Sequence, residues 1–322
     1  MNDDAETGPT VVGVELGGTK AIAVLARGDR ILDRLRVPTT EPGSTLGALV
    51  ERVTGWFAAD RAPEAIGIGS FGPVGLDPGR DDYGHVTTTP KAGWSDVDVV
   101  GPFSGFGVPV AFETDVAAAA LAEGRWGASR GCTDHVYITI GTGVGVGIVA
   151  GGRPVHGLVH PEAGHLRVRR RGDDTFSGTC PYHGDCIEGL ASGPAIAART
   201  GTPAEALAPD HPVWRDVVAE LGELVTSLTL TVSPQRIVLG GGVGAGRADL
   251  VEGIRDAVAR NLAGYVAGLD DDGIASLVRP AALGHDAGPL GTVAVAQSAA
   301  HVPSASPGVS VAVTPQPWES RG

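Results

Sequence analysis

Short apolar runs of strand length alternate along the chain with stretches of helical period. Val11 to Leu16 reads as a strand, and Ala21 to Leu25 as its hairpin partner. Leu46, Leu49, Val50, Val53, Trp56 and Phe57 recur at helical spacing, with Ser44 placed as an N-cap. Ala65 to Gly69 and Val108 to Phe112 are short buried strands, the second leading into an alanine-rich helix from Val116 to Glu123. Val213 to Val232 is a long amphipathic helix with Pro212 at its start and Pro234 just past its end, and Arg236 to Leu239 is a further strand. This alternation predicts an α/β fold. The opening unit recurs about 125 residues later, where Val136 to Ile140 runs into Gly141, Thr142 and Gly143 and Val144 to Val149 returns. The repeat predicts two related domains facing a shared cleft.

Length and composition agree with that picture. The 322 residues are enough for two domains, and 42% apolar against 19% charged residues marks a folded chain. A net charge of −13 makes nucleic acid a poor partner. Met1 to Glu6 lack the positive start and apolar stretch of a signal peptide. The uncharged stretch Ala299 to Trp318 is broken by four prolines and Val136 to Gly152 is dense in glycine, so neither reads as a membrane span. Three cysteines suggest no disulfide framework, and a cytoplasmic protein is expected. Residues 1–9 and 301–322 are expected to be disordered tails.

Glycine is the outlier: 50 residues, about twice the usual share. Gly17-Gly18-Thr19-Lys20, Gly141-Thr142-Gly143 and Gly240-Gly241-Gly242 each follow a strand, where bare backbone can aim N–H groups at phosphate oxygens. Any one of them is equally a tight hairpin turn. None fits the P-loop or the dinucleotide-binding glycine pattern. Cys180-Pro-Tyr-His183-Gly-Asp-Cys186 sets three zinc-type ligands within seven residues, and the fourth is sought in His160 or, preferably, His165. The bland alternative is two buried free cysteines and a loop histidine, the state expected of Cys132. Asp115, between a strand and a helix, is either an N-cap or a base facing the cleft. Glu162 and Glu188 flank the zinc-type residues and suit sugar hydroxyls, or are solvated loop acids. Glu113 and Asp185 read as solvated neighbours, and Arg167, Arg169, Arg170 and Arg171 as a solvated basic strand edge.

Taken in order, Glu15-Leu-Gly-Gly-Thr-Lys20, Gly69-Ser-Phe-Gly-Pro73, Thr89-Pro-Lys-Ala-Gly-Trp94, Thr114-Asp115, Ile140-Gly-Thr-Gly143, His160-Pro-Glu-Ala-Gly-His165, Cys180 to Glu188, Ala191-Ser-Gly-Pro194 and Leu239-Gly-Gly-Gly242 resemble the ROK family of sugar kinases. That family lies in the actin and hexokinase-like ATPase superfamily, and the likeness is strongest to its bacterial fructokinase branch. It covers Val11 to Ala300.

The resemblance implies two ribonuclease H-like α/β domains around a central cleft, 10–115 completed by helix 287–300, and 116–286 carrying a zinc loop at 165–186. It implies transfer of the ATP γ-phosphate to a hexose, fructose before mannose or glucose, with Asp115 as general base. Thr114, Glu162, His165, Glu188, Gly72, Pro73 and Lys91 would contact the sugar. Gly17, Gly18, Thr19, Lys20, Gly141, Thr142, Gly143, Pro194, Gly240, Gly241 and Gly242 would hold ATP. His165, Cys180, His183 and Cys186 would hold structural Zn²⁺, and Glu15, where many relatives have Asp, would meet Mg²⁺ through water. A homodimer is expected. The competing expectations are a sugar-responsive repressor, for which no DNA-binding segment precedes Val11, and a zinc-stabilised sugar sensor without catalysis.

Overall fold

In a computed structural model, which describes residues 8–59, 63–244 and 247–300, the apolar runs assemble two five-stranded sheets. The expected tails lie outside the described residues, apart from residues 8 and 9. The first sheet takes β1 (Thr10–Leu16), β2 (Lys20–Arg27), β3 (Arg30–Pro38), β4 (Ile66–Ser70) and, after a two-stranded ladder of β5 (His85–Val86) and β6 (Val97–Asp98), β7 (Val110–Thr114). Its order is β3-β2-β1-β4-β7, antiparallel from β3 to β1 and parallel from β1 to β7. The second sheet takes β8 (His135–Ile140), β9 (Val144–Ala150), β10 (Arg153–Pro154), β11 (Arg236–Gly240) and β12 (Val278–Pro280). Its order is β10-β9-β8-β11-β12, again antiparallel across the first three strands and parallel across the rest. The repeat seen in the glycine turns therefore extends to whole sheets.

The described helices are α1 (Pro42–Ala58), α2 (Asp115–Trp126), α3 (Ile187–Ala191), α4 (Gly193–Thr200), α5 (Val213–Val232), α6 (Gly241–Gly244), α7 (Ala248–Leu262), α8 (Asp271–Leu277) and α9 (Ala287–Ala300). Strand alternation divides their packing. In the first sheet Val12, Val14 and Leu16 meet Leu49, Val53 and Trp56 of α1, whereas Val11, Ile22 and Val24 meet Val293 and Ala296 of α9. In the second, Val136, Ile138 and Ile140 meet Val217, Leu221 and Leu224 of α5, whereas Tyr137, Val149 and Val238 meet Ala119 and Ala120 of α2.

Glycines set how closely these layers approach. A Cβ on Gly67 would collide with the Thr292 carbonyl and the Ala296 amide of α9, and one on Gly291 with the Ala118 carbonyl of α2. On the other side of α2, a Cβ on Gly147 of β9 would strike the Val116 carbonyl. The alanine-rich helix is thus wedged between the two sheets.

Several expectations are corrected. Glu41, not Ser44, caps α1, because its longer carboxylate reaches both Gly43 N and Ser44 N. The strand expected at 108–112 is shifted to Val110–Thr114, in register with β4, so that Thr114 ends the strand and caps α2 while Asp115 is its first residue. Residues 166–171 form no strand; Arg169, Arg170 and Arg171 instead pair with Glu223, Asp174 and Asp216. Cys132 is half-exposed rather than buried, because it ends the turn that follows Ser129. Among the described residues no helix is long and apolar enough to cross a membrane.

Gly67→Ala should destabilise the chain by ~1–3 kcal/mol through backbone overlap. Gly47→Ala, on the exposed side of α1 with nothing within 4 Å of its Cβ, should stabilise by about 0.5–1 kcal/mol through helix propensity. Urea midpoints of the two variants check both signs.

Candidate active site

The two hairpin turns are each closed by a glycine N–H, over four residues in the first and three in the second. Gly17 N donates to Lys20 O at 3.0 Å in the first sheet, and Gly141 N to Gly143 O at 2.9 Å in the second. Gly193 N at the start of α4 donates to Gly141 O at 2.7 Å, which ties the second turn to Pro194. Gly241 has φ of +82°, and a Cβ there would also collide with Ile140 backbone, so the residue is fixed twice over. Glu15, Thr19, Lys20, Gly141, Thr142, Pro194, Gly241 and Gly242 line one cleft of about 920 Å³. Sequence reading missed other walls of it, among them Arg36, Trp214, Arg247 and His285, which are scattered along the chain and share no local motif, and Tyr137 and Thr139, which both lie on β8.

Four carboxylates gather nearby. Asp115 is partly exposed, its Oδ1 accepts from Val116 N at 2.8 Å, and burial lifts its pKa to about 6. Glu162 is lifted to about 7, first by burial and then by the charges of Asp115 and Glu188. Glu188 accepts from Val144 N at 3.2 Å. Its Oε2 lies 2.5 Å from where a Cβ of Gly143 would stand, so glycine there leaves room for the carboxylate. Glu15 is lifted to about 7 by burial, which outweighs the attraction of Lys20, and its Oε2 is buried without a hydrogen-bond partner. That orphaned oxygen beside the first glycine turn fits a water-mediated contact to Mg²⁺.

Gly72 of the first-sheet loop packs beside this group: a Cβ on it would stand 3.4 Å from Glu162 Oε1 and 3.2 Å from the His160 ring. Pro73 follows it, and its carbonyl accepts from Thr87 N at 2.8 Å. Lys91 stands apart from the acids; its Nζ donates to Gly18 O at 2.7 Å and to Thr39 O at 3.1 Å, bracing the first turn.

His160 is buried, and its Nε2 accepts from Val74 N at 3.0 Å, which puts the ring proton on Nδ1, 3.5 Å from Glu162 Oε1. Burial also lowers its pKa, so the ring is neutral. It is not a zinc-type ligand. The cluster that forms is His165, Cys180, His183 and Cys186, with all donor atoms within 4.8 Å of one another. His165 Nδ1 lies 3.4 Å from Cys186 Sγ and 3.7 Å from Cys180 Sγ, and His183 Nδ1 lies 3.6 Å from Cys180 Sγ. Tetrahedral zinc with ordinary bond lengths needs nitrogen–sulfur edges of about 3.6 Å, so the donor set fits that ion.

Glu113 is buried, not solvated: Oε1 accepts from Thr114 N at 2.8 Å, and Oε2 from His156 Nε2 at 2.8 Å. Neither local spacing nor type signals this pair, since its members are 43 residues apart. Asp185, also expected in solvent, takes weak contacts from Arg167 and Arg170 at 3.5 Å.

A scan against family models matches residues 11–299 to the ROK family. The chain belongs to the ROK family. A fructokinase from Zymomonas mobilis subsp. mobilis is 43% identical over 301 residues, covering 89% of this chain and 96% of that protein. A fructokinase from Pediococcus pentosaceus is 39% identical over 290 residues, covering 89% and 97%. The crystal structure of a ROK family glucokinase from Streptomyces griseus, in complex with glucose and AMPPNP, superposes with a TM-score of 0.70 at 27% identity, covering 90% of this chain and 99% of that one. The two-sheet architecture of this ROK protein is therefore the actin and hexokinase-like fold of its relatives.

Glu113 holds the His156 pKa above the ordinary value of 6.5. A raised folded value gives stability that is full below the unfolded pKa and lost as pH rises through the folded one. The difference in melting temperature between the native chain and His156→Ala should thus be widest near about pH 6 and narrow toward about pH 9. A difference constant across that range would remove the ion pair.

Proposed function

We propose that this ROK protein is an ATP-dependent fructokinase, converting D-fructose and ATP to fructose 6-phosphate and ADP. One observation carries the chemistry. Asp115 is the carboxylate whose charge is felt both by Glu15, beside the phosphate-sized glycine turn, and by Glu162, on the second-sheet loop. That coupling to both sides supports Asp115 as the group shared by donor and acceptor. The identity to fructokinases supports fructose as the acceptor.

In this reading Asp115 accepts the proton of the sugar 6-hydroxyl as O6 bonds to the γ-phosphorus and the bond to the β-bridging oxygen breaks, releasing ADP. A base with pKa raised to about 6 is better matched to an alcohol proton than an ordinary aspartate, yet is ionised at neutral pH. Thr114, Glu162, Glu188, Gly72 and Pro73 orient the sugar, and Lys91 holds the first turn against it. His165 serves both neighbours: its Nδ1 faces the cysteine sulfurs, leaving Nε2 for a hydroxyl. The three glycine turns with Thr19, Lys20 and Pro194 receive ATP.

Glu15 would hold Mg²⁺ through water, where bound magnesium supplies charge neutralisation to the triphosphate. His165, Cys180, His183 and Cys186 would hold Zn²⁺, which supplies a crosslink between the two ends of the 165–186 loop. We further assign residues 10–115 with helix 287–300 to one domain and 116–286 to the other, and propose a cytoplasmic homodimer. The free cysteines are in keeping with a reducing compartment.

Asp115→Asn should lower kcat at least ~10²-fold with MgATP affinity retained; near-native turnover would take Asp115 out of the mechanism. Elemental analysis should find about one zinc per chain, lost in Cys180→Ser together with melting temperature. A coupled ADP-release assay across fructose, mannose, glucose and N-acetyl sugars should give fructose the highest kcat/KM. Leadership by another hexose would change the acceptor, and binding of sugar without turnover would favour a sensor.

A further inference from the structure

We infer that Glu113 and His156 form a positioning pair that locks the second-sheet sugar loop onto the strand end bearing Thr114 and Asp115, so that His156 governs hexose binding. This rests on the kinase reading for the identity of the sugar. The loop from Val155 to Glu162 follows β10 of the second sheet, yet it is pinned to the first sheet at two points. His156 Nε2 donates to Glu113 of β7 at 2.8 Å, and His160 Nε2 accepts from Val74 of the loop after β4 at 3.0 Å. Glu162, two residues past the second pin, has its Oε1 3.5 Å from His160 Nδ1, and its carboxylate feels both Asp115 and Glu188.

Glu113 is an unusual place to spend a buried charge. Its side chain is 6% exposed, and no lysine or arginine among the described residues forms an ion pair with it. A carboxylate in that setting needs strong partners. It has His156 on one oxygen and the amide of Thr114 on the other. The second bond fixes the Glu113–Thr114 peptide plane, one residue short of Asp115, where β7 turns into α2. His156 is 46% exposed and contributes little to the core, so its burden is geometric rather than hydrophobic. Losing the pair frees the sugar loop from the corner that carries the base, while the glycine turns, which hang on other bonds, keep their shape.

The test is steady-state kinetics and calorimetry on His156→Ala, His156→Gln, Glu113→Ala and the double alanine variant, each checked for a native melting transition. His156→Ala should raise KM for fructose about 10-fold or more, with kcat within ~3-fold and KM for ATP within ~2-fold. His156→Gln, which keeps an N–H donor for Glu113, should recover most of the loss. The double variant should be no more than about 2-fold worse than the weaker single one, because both remove the same contact. Equal fructose KM in native protein and His156→Ala, additive losses, or parallel changes in fructose and ATP constants would overturn the pair. Calorimetric fructose affinity separates this claim from the kinase reading. Native protein that binds fructose without turnover sinks the kinase reading alone, and native protein with no affinity for fructose or any other hexose of the panel sinks both.

Discussion

The close seating of α2 between the two sheets is the constraint on which the site depends. Its residues from Ala117 to Ala120 are small, and the chain opposite them is glycine at Gly147 of β9 and Gly291 of α9. Backbone meets backbone there with no room for a methyl group. Helix α2 is consequently held from both sides, and its first residue, Asp115, inherits that rigidity. Thr114 accepts from Ala117 N at 3.1 Å and Glu113 accepts from Thr114 N, so two consecutive side chains fix the corner where strand becomes helix. At the far end of α2, Glu123 is fully buried and accepts from Ala128 N and Leu283 N, which anchors the segment leading into α9.

Around that anchored corner the protein accumulates negative charge it could easily have avoided. Glu15, Asp115 and Glu162 are all pushed upward by burial, and the charge of Asp115 adds to the rise at Glu15 and Glu162. Lys20, Arg34 and Arg36 relieve only Glu15. Such an assembly is costly for folding and useful for chemistry, because cations and hydroxyl donors are drawn to it. The 165–186 loop, which runs between Glu162 and Glu188, is backed by a second charged layer. Arg199 lies between Glu220 and Asp174 and over the Phe176 ring at 4.8 Å. The metal-type cluster and this layer thus hold the loop at separate points, one through His165, Cys180, His183 and Cys186 and the other through Asp174 and Phe176.

Much of this was readable in the sequence, and the unread parts have definite causes. Glycine after a strand is legible because few residues tolerate such turns, and the doubled turns disclosed the doubled sheets. Helix α5 was legible from end to end because prolines mark both ends. Strand β3 was not read, since it has no fully buried position and its half-buried ones alternate with Arg30, Arg34 and Arg36 on an edge that faces water. Glu113 was misjudged for a different reason: a carboxylate looks solvated until the distant His156 is placed against it. His160 carried a true signal, a histidine two residues before Glu162, but its purpose as an acceptor for Val74 N appears only once the two sheets face each other.

The pH dependence of kcat/KM for fructose, followed from about pH 5 to 8 at saturating MgATP, tests the central claim most directly. Asp115 is lifted by burial to about 6 and Glu162 to about 7, so the rate should fall on the acid side with an apparent pKa no lower than about 6. A rate that stays flat down to pH 5, as carboxylates with ordinary pKa values near ~4 would give, would contradict Asp115 with a raised pKa acting as the base.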